Sequence, residues 1–446
     1  MIWLLADEGL KTRLGHFFEY DRAVKQIAES QRNVNVTILG HLDMDPAVAE
    51  ELDAVPLFRY TNWDGIYDHA GRWSRYFGVL KHNMRMLKDL HTYVRRHDEI
   101  ELVFAPAVVL QHLLGFFLFT LINYRRCGQV VLLIRNSIAT YDEELQPGFQ
   151  VTAIFWKLMF WCYSPLIRVN KVRFVTDSDQ LSEEIALLAR LQVDVVPHPS
   201  LIFQDRPVTQ SSGRSGKGLR IFLPGPARFE KGADLLLEAG KILEEHAGRT
   251  ITFVLQWEND FEGPDGSIHS LDVSASAQAR VEYDIIRAPL SSEEYRAQLE
   301  AADIIALPYR SQAYFARISG VAVEALVLGK PVIYTRHTWI ARQMERFDSG
   351  IATEENPLAL VEAIDLAMED FEGLSHRAES ASVDARNYFS TESFLAGLLG
   401  ESEEGNGNEA LAGSCDLLYF LAVGEGGLVH YAANQIKALA DKGLDV

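Results

Sequence analysis

The chain has 446 residues, of which 48% are hydrophobic and 23% are charged, a composition typical of a soluble globular protein. Its 62 acidic and 42 basic residues give a formal net charge of −20, which disfavours nucleic acid as a partner because phosphate backbones require a basic surface. Three cysteines, Cys127, Cys162 and Cys415, have no metal-ligand spacing. They are predicted to be reduced thiols of a cytoplasmic protein.

The first 203 residues alternate short apolar runs with amphipathic patterns. Strands are predicted at Met1–Ala6, Asn35–Gly40, Glu101–Ala105, Gln129–Arg135, Lys171–Thr176 and Val193–Val196. Helices are predicted at Phe17–Ser30, Trp73–Arg96 and Val109–Tyr124, and a further helix, capped by Asp177 or Ser178, is predicted after the strand at Lys171–Thr176. Strands that alternate with helices predict a parallel sheet covered on both faces.

Two segments in this region are strongly apolar, Leu110–Ile122 and Ile154–Ile167. Both are shorter than the roughly 20 residues of a membrane-spanning helix. Two interpretations stay open: buried helices, or peripheral docking on a membrane through the aromatic second segment. The start of the chain lacks the pattern of a secretory signal, so a cytoplasmic location is predicted, with the inner membrane face as the alternative.

Residues 204–218 are rich in serine and glycine and have no apolar period, which predicts a linker. The alternation then restarts, and residues 219–382 are predicted to form a second doubly wound domain, with a helix at 383–400 returning to the first domain. The predicted fold class is therefore α/β of the GT-B type: two Rossmann-like domains that face each other across a cleft. Ligands of such sheets bind at the carboxyl ends of the strands.

The last part of the chain repeats the pattern of a domain start. An acidic linker is predicted at 401–413, and residues 414–446 contain one strand, a Gly424–Gly427 loop and one helix. Such a unit cannot bury a core alone. Either it packs on what precedes it or a further GT-B-like domain begins here, and the second interpretation, a truncated tandem protein, is favoured.

Basic residues lie at a turn between a strand and a helix in Gly225-Pro226-Ala227-Arg228-Phe229-Glu230-Lys231-Gly232. Arg228 and Lys231 can direct positive charge at a diphosphate leaving group, and the following helix start adds N–H donors and its dipole. A solvated basic loop is the alternative interpretation of these two residues.

A second pattern strengthens the phosphate interpretation. Ser319, Gly320 and Val321 stand where a helix is predicted to begin, and Gly320 allows a phosphate to approach the backbone closely. Glu324 lies one turn further within an apolar run, and an acid in such surroundings usually has a partner. A carboxylate there can accept hydrogen bonds from the two ribose hydroxyls of a nucleotide.

Together, the Lys231-Gly232 turn, Ser319-Gly320, Glu324-Ala325 and Gly329-Lys330-Pro331 resemble the C-terminal domain of family 4 retaining glycosyltransferases over about residues 219–367. The resemblance implies a transferase that retains configuration and uses a nucleoside-diphosphate sugar as donor substrate, with hexosyl transfer and no cofactor expected. No Asp-x-Asp metal motif occurs at a plausible strand end, so independence of metal ions is expected as well. It implies that Lys231 and Gly225 lie at the diphosphate, Glu324 at the ribose and Arg287 near the base. The acceptor is expected to be a glycan or a lipid-linked molecule.

The sequence departs from that family at two positions. Pro226 stands where the family has an arginine, and Arg228 is expected to supply the charge instead. Ala316 stands where the family has a glutamate that touches the donor sugar, and Tyr314 and Arg317 are the nearby candidates to replace it.

The N-terminal domain resembles the same family more loosely. Gly15 and His16 follow its first strand, and His16 is expected either to contact donor or acceptor or to cap its helix. Arg135 ends another strand and is a weaker candidate for the cleft. His198, between two prolines, is expected to shape the connection between domains, and Asp43-Met44-Asp45 is expected to be a polar turn rather than a metal motif.

Two other functions keep the same fold. One is a non-catalytic partner that binds sugar nucleotides or glycans during polysaccharide assembly, which Pro226 and Ala316 favour. The other is a sugar-nucleotide epimerase. A dinucleotide-dependent oxidoreductase is disfavoured because neither predicted domain has Gly-x-Gly-x-x-Gly after its first strand.

Overall fold

A computed structural model describes residues 2–13, 16–61, 72–97, 99–200, 218–244, 250–271 and 280–401. Residues 1–400 form one compact unit. Residues 204–217 of the predicted linker and the predicted further domain at 414–446 lie outside the described residues. Among the described helices, none is both long and apolar enough to cross a membrane.

The first half of the chain forms a seven-stranded sheet in which every pair is parallel, in the order β3-β2-β1-β4-β5-β8-β9. The strands, with the small β6-β7 hairpin, are β1 (Ile2–Ala6), β2 (Asn35–His41), β3 (Val55–Phe58), β4 (Ile100–Ala105), β5 (Cys127–Ile134), β6 (Ala139–Tyr141), β7 (Pro147–Phe149), β8 (Val172–Thr176) and β9 (Asp194–Val195). The helices are α1 (His16–Arg32), α2 (Pro46–Leu52), α3 (Arg72–Val94), α4 (Leu110–Ile122), α5 (Ala153–Arg168) and α6 (Asp179–Ala189).

The second half forms a six-stranded parallel sheet in the order β14-β11-β10-β15-β16-β17. The strands, with the β12-β13 hairpin, are β10 (Leu219–Pro226), β11 (Ile251–Gln256), β12 (Phe261–Glu262), β13 (Ile268–His269), β14 (Val281–Ile286), β15 (Ile304–Leu307), β16 (Val332–Thr335) and β17 (Ile351–Thr353). The helices are α7 (Ala233–Glu244), α8 (Ser292–Ala301), α9 (Ser311–Tyr314), α10 (Gly320–Leu328), α11 (Trp339–Phe347), α12 (Pro357–Glu369), α13 (Phe371–Tyr388) and α14 (Thr391–Leu399).

Each sheet is buried on both faces, which explains its near-continuous Val, Ile and Leu strands. Helices α3, α4, α5 and α6 cover one face of the first sheet, and α1, α2 and α14 cover the other. Phe394, Leu395 and Leu398 of α14 lie in the same cluster as Trp3 and Leu5 of β1, so the end of the described chain packs on the first sheet.

One helix of the first half has no counterpart in the predicted elements. The predicted turn at residues 43–45 leads directly into α2, whose amino end is capped by Asp45: its Oδ1 accepts the Ala47 N–H at 2.9 Å. Pro46 occupies the first helical position, where its missing N–H costs nothing. These are ordinary start signals for a helix, but α2 is only seven residues long, so it has too few apolar residues to show a helical period.

Candidate functional site

The carboxyl ends of the strands of the two sheets face each other. The Ser178 hydroxyl, just after β8, donates to the Ala316 carbonyl in the segment that follows β15, at 2.6 Å. The Tyr141 ring contacts the Phe315 ring with centroids 4.5 Å apart. The loops at these ends, which carry most of the predicted site residues, therefore meet along the contact between the two halves.

The loop after β10 is held against the loop after β15. It forms a 3-10 turn at Phe229–Lys231 that ends at Gly232, which has a φ of +68°. A Cβ atom on Gly232 would lie 2.0 Å from the Pro308 carbonyl oxygen, so only glycine fits here. The Arg310 N–H also donates to the Glu230 carbonyl at 2.9 Å. These contacts fix the position of Lys231 at the carboxyl edge.

The Lys231 ammonium lies over the backbone that ends β10. Its Nζ donates to the Pro224 carbonyl at 3.2 Å and lies 6.0 Å from the centroid of the Tyr309 ring. Gly225 has a φ of +81°, and a Cβ atom there would meet Nζ at 2.4 Å. Gly225 thus leaves the space that the ammonium occupies.

The surroundings of Lys231 are electropositive. Burial lowers its pKa to about 8, and the nearby guanidinium groups of Arg228 and Arg317 add to the effect, against the opposing charge of Glu230. Arg228 is exposed and lies 3.5 Å from the Glu230 carboxylate. Three cationic groups near one point are unfavourable alone and favourable beside an anion of more than one charge.

The start of α10 offers free N–H groups to an anion. Ser319 caps the helix, since its hydroxyl accepts the Ala322 N–H at 3.3 Å. A Cβ atom built on Gly320 would meet no atom within 4 Å, so this side of the helix start is open. Val321, the next residue, packs against the core with its side chain. The backbone, rather than a side chain, is what this turn presents.

Glu324 lies on α10 one turn after Gly320 and has a partner in the adjacent helix. The Tyr295 hydroxyl of α8 donates to Glu324 Oε2 at 2.7 Å. Burial raises the pKa of Glu324 to about 7, although that hydrogen bond lowers it in part. The protein therefore stabilises the charged form of this carboxylate only weakly. Further hydrogen-bond donors, such as hydroxyl groups of a ligand, would stabilise it.

Other predicted residues lie apart from this cluster or outside the described atoms. Arg287 is exposed on the loop after β14. Hydrogen bonds from Trp257 and Ser270 lower the pKa of Asp260, and the charge of Arg287 adds a smaller lowering. Gly15 lies outside the described residues. His16 begins α1, but its side chain lies outside the described part of the chain.

The first sheet contributes a carboxylate between two histidines, which the sequence analysis missed. Glu8 follows β1, and its Oε1 lies 2.9 Å from Nε2 of His112 while its Oε2 lies 3.0 Å from Nε2 of His82. The two histidines lower the pKa of Glu8 to about 2 against the effect of burial. Both histidines are far from Glu8 in the sequence, so the spacing of the residues does not indicate the cluster.

These three side chains are close enough to hold a metal ion, but their hydrogen bonds favour another arrangement. The Val109 N–H donates to Nδ1 of His112 at 3.3 Å. Nδ1 is then an acceptor, so the proton of a neutral ring sits on Nε2 and is donated to Glu8. A metal ligand at Nε2 would require the opposite tautomer.

A second buried network stands beside it. Arg135 Nε donates to Asp177 Oδ2 at 2.9 Å, and its guanidinium lies 5.0 Å from the centroid of the Tyr20 ring. Burial raises the pKa of Asp7, the neighbour of Glu8, to about 6. Arg135, a weak candidate for the cleft, therefore has Asp177 and Tyr20 of the first half as its partners. His198 is also engaged: its ring lies edge-on to Tyr20, with centroids 5.9 Å apart.

Solved structures share this arrangement along nearly the whole length of the described chain. HepE from Anabaena, solved with UDP, is 14% identical with a TM-score of 0.56, covering 90% of this chain and 100% of that chain. A glycosyltransferase from Rickettsia africae is 13% identical with a TM-score of 0.58, covering 89% and 97%. The chain has the GT-B fold.

Sucrose-phosphate synthase from Thermosynechococcus elongatus is also similar, at 13% identity and a TM-score of 0.55, covering 90% of this chain and 96% of that chain. No protein-family model and no curated protein matches the sequence. The predicted fold class is confirmed: two Rossmann-like halves, each with a parallel sheet. At these identities the GT-B comparison concerns the fold alone.

Proposed function

We propose that the chain is a glycosyltransferase that moves a hexosyl unit from a nucleoside-diphosphate sugar to a hydroxyl group of a glycan or lipid-linked acceptor. The observation that carries the proposal is the combination of Lys231, the open helix start at Gly320 and Glu324 at one edge of the second sheet. Lys231 and Arg228 would take up the charge of the departing diphosphate, and Gly320 would donate its N–H to a phosphate oxygen.

Glu324 would accept hydrogen bonds from the ribose. Its raised pKa and its hydrogen bond from Tyr295 support this role, because a ligand hydroxyl would add a donor to an unfavourable buried charge. UDP is the first ligand to test, since the similar HepE was solved with UDP and with UDP-glucose. Arg287, on the loop after β14, remains our proposed contact for the base.

Membership of family 4, retention of configuration and independence of metal ions are parts of the same proposal. Family membership and retention rest on the resemblance of the Lys231, Ser319-Gly320 and Glu324 motifs, and metal independence rests on the lack of an Asp-x-Asp motif at a plausible strand end. Proton NMR of the first product formed from UDP-glucose would test retention directly, because the anomeric coupling distinguishes the two outcomes. Activity that survives a chelator would support metal independence.

Calorimetry of the full chain against UDP, GDP, ADP and their glucose conjugates is the test of the donor site. We expect one nucleoside diphosphate to bind, and Lys231→Ala to weaken binding by about 2–3 kcal/mol, or roughly 30- to 150-fold. Lys241→Ala is the matched control, because Lys241 lies on α7 in an exposed ion pair with Glu238.

Two results would contradict the proposal. One is an absence of binding to any member of the panel by a folded chain. The other is a Lys231→Ala variant that binds as tightly as the Lys241→Ala control.

A non-catalytic sugar-nucleotide-binding protein is the second candidate. Ala316 favours it, because this position is buried and its carbonyl is bound by the Ser178 hydroxyl, leaving no carboxylate for the donor sugar. In that case nucleotide would bind with the expected dependence on Lys231, but neither transfer to an acceptor nor slow hydrolysis of the donor would be detected. Formation of a glycosylated product would exclude this candidate.

A further inference from the structure

The outer surface of helices α3, α4 and α5 is apolar at positions where a helix normally faces water. On α5, Ile154, Leu158 and Trp161 are 66%, 51% and 74% exposed. They follow the spacing of one helical stripe, opposite a second stripe, Trp156, Phe160 and Tyr163, that is buried against the sheet. A helix that is apolar on both sides needs a second apolar environment.

The neighbouring helices extend this surface. Phe77, Leu80 and Met84 are exposed along one side of α3, and Leu121 and Ile122 are exposed at the end of α4. Helix α4 packs between the other two. We refer to the exposed apolar residues of these three helices, together with the basic residues described next, as the α3–α5 surface.

The charge of these helices is opposite to that of the whole chain. The net charge of the protein is −20, yet the only acidic residue of α3, α4 and α5 is Asp89. Exposed basic residues accompany the apolar ones on α3 and α5 and in the segments that follow α3 and α4, namely Lys81, Lys88, Arg95, Arg125, Arg126, Lys157 and Arg168. Cations beside exposed apolar and aromatic side chains are the combination that binds an anionic lipid surface.

One part of the α3–α5 surface is a depression lined by basic and apolar residues. The ends of α3 and α4 enclose an open depression of about 460 Å³ lined by His91, Arg95, Arg125, Arg126, Leu121 and Ile122. Tyr124 also lines the depression, and its ring lies under Lys171, whose Nζ is 4.6 Å from the ring centroid. Guanidinium groups suit phosphate oxygens, and the two aliphatic residues suit the start of an acyl chain.

This depression lies away from the candidate donor site. The Arg126 carbonyl accepts the Ile100 N–H at 2.9 Å, which places the depression at the amino ends of β4 and β5. The donor site lies at the carboxyl ends of the strands of the second sheet. Contact through the α3–α5 surface would therefore leave that site uncovered.

From the exposed apolar stripe, the opposite charge and the arginine-lined depression, we propose that the α3–α5 surface docks on an anionic lipid bilayer. Trp161, Leu158 and Ile154 enter the interface between headgroups and acyl chains, and Arg95, Arg125 and Arg126 bind lipid phosphates. The inference does not require the proposed transferase activity, and it fails or holds separately from nucleotide binding.

Sedimentation of the full chain with vesicles tests the proposal. We expect binding to vesicles of phosphatidylcholine with phosphatidylglycerol, little binding to phosphatidylcholine alone, and a loss of binding as salt screens the charges. Leu158→Ser with Trp161→Ser should weaken binding at least tenfold, because each exposed side chain loses its apolar burial in the bilayer. Arg125→Glu with Arg126→Glu should weaken it at least 30-fold.

The control is Leu358→Ser with Leu366→Ser on α12, whose leucines are 64% and 55% exposed on the second half of the chain. This control should bind vesicles as the unaltered chain does. Nucleotide affinity and melting temperature should be unchanged in all three double variants, because none of these residues lies in the donor site or the core.

Three outcomes would overturn the proposal. The unaltered chain could fail to bind anionic vesicles, or the α5 variant could bind as tightly as the α12 control. Analytical ultracentrifugation could instead show a dimer that only the α3–α5 variants dissociate, which would make this surface a contact between two copies of the chain.

Discussion

Gly320→Ala should have opposite effects on the stability of the protein and on its affinity for the proposed nucleotide. A Cβ atom at this position meets no protein atom within 4 Å, and its φ is not in the left-handed region. The substitution removes conformational freedom from the unfolded chain and favours the helix, so the free energy of unfolding should rise by about 0.4–1 kcal/mol. The protein alone gives no reason for a glycine here.

A bound diphosphate would give that reason. If a phosphate oxygen accepts the Gly320 N–H, a methyl group on the same residue enters the space that the phosphate needs. Loss of one hydrogen bond to a charged group costs about 1.5–3 kcal/mol, which is roughly a 10- to 150-fold weaker affinity for the nucleotide. The variant should therefore be as stable as the unaltered chain or more so, and bind the nucleotide less tightly.

Urea unfolding and calorimetry with UDP measure the two effects independently. A paired variant, Gly225→Ala, should lose both properties: its φ of +81° strains the alanine, and the Cβ atom displaces the Lys231 ammonium. If Gly320→Ala binds the nucleotide as tightly as the unaltered chain, no phosphate approaches this helix start and the reasoning is wrong.

Three further predictions follow from charge and burial. Nucleotide affinity should fall roughly tenfold between about pH 7 and pH 9 as Lys231, with a pKa of about 8, loses its proton, and calorimetry of Lys231→Arg should show no such loss. Glu324 has a folded-state pKa of about 7, above its ordinary value of 4.5, so the stability of the unaltered chain is lost as the pH rises from the ordinary value through the folded-state value. Urea unfolding should therefore show Glu324→Gln gaining stability relative to the unaltered chain between about pH 5 and pH 8, on the order of 1 kcal/mol. Calorimetry of the same variant should show a loss of nucleotide affinity. Arg135→Leu should lower the free energy of unfolding by about 3–5 kcal/mol, since Asp177 would remain buried and unpaired, and an unchanged urea midpoint would contradict that pairing.

The sequence carried enough information for the fold because the signals are local. Apolar strands followed by amphipathic helices repeat along both halves, and a parallel sheet buries both faces, so runs such as Phe222–Leu223 and Val130–Ile134 are recognisable without knowing their partners. The short elements were missed because their local signals are too weak. α2 and the β6-β7 hairpin contain too few residues to establish a period, and their stability comes from contacts that the sequence does not reveal.

The site was only partly accessible from the sequence. Lys231 and Gly320 stand beside helix starts, which the pattern of glycine and apolar residues marks. Tyr295, the partner of Glu324, lies 29 residues earlier on another helix, and only the packing of α8 beside α10 brings it near. Glu8, His82 and His112 come from a strand end and two helices up to 104 residues apart, so no spacing rule could join them.

Ala316 shows why the sugar end of the proposed site differs from its nucleotide end. The nucleotide end is built from one sheet, in which β10 and β15 are adjacent and their loops are packed together. Ala316 instead lies at the contact between the two halves: it is 2% exposed, Ser178 binds its carbonyl, and the Arg342 guanidinium binds the carbonyl of Phe315. A glutamate in this conformation would place a carboxylate in a buried contact and would require a cation or a rearrangement of the halves to be tolerated. The exposed Arg317, 5.1 Å from the centroid of the Tyr314 ring, lies beside this position, so any donor sugar that this chain binds would be recognised without a carboxylate from residue 316.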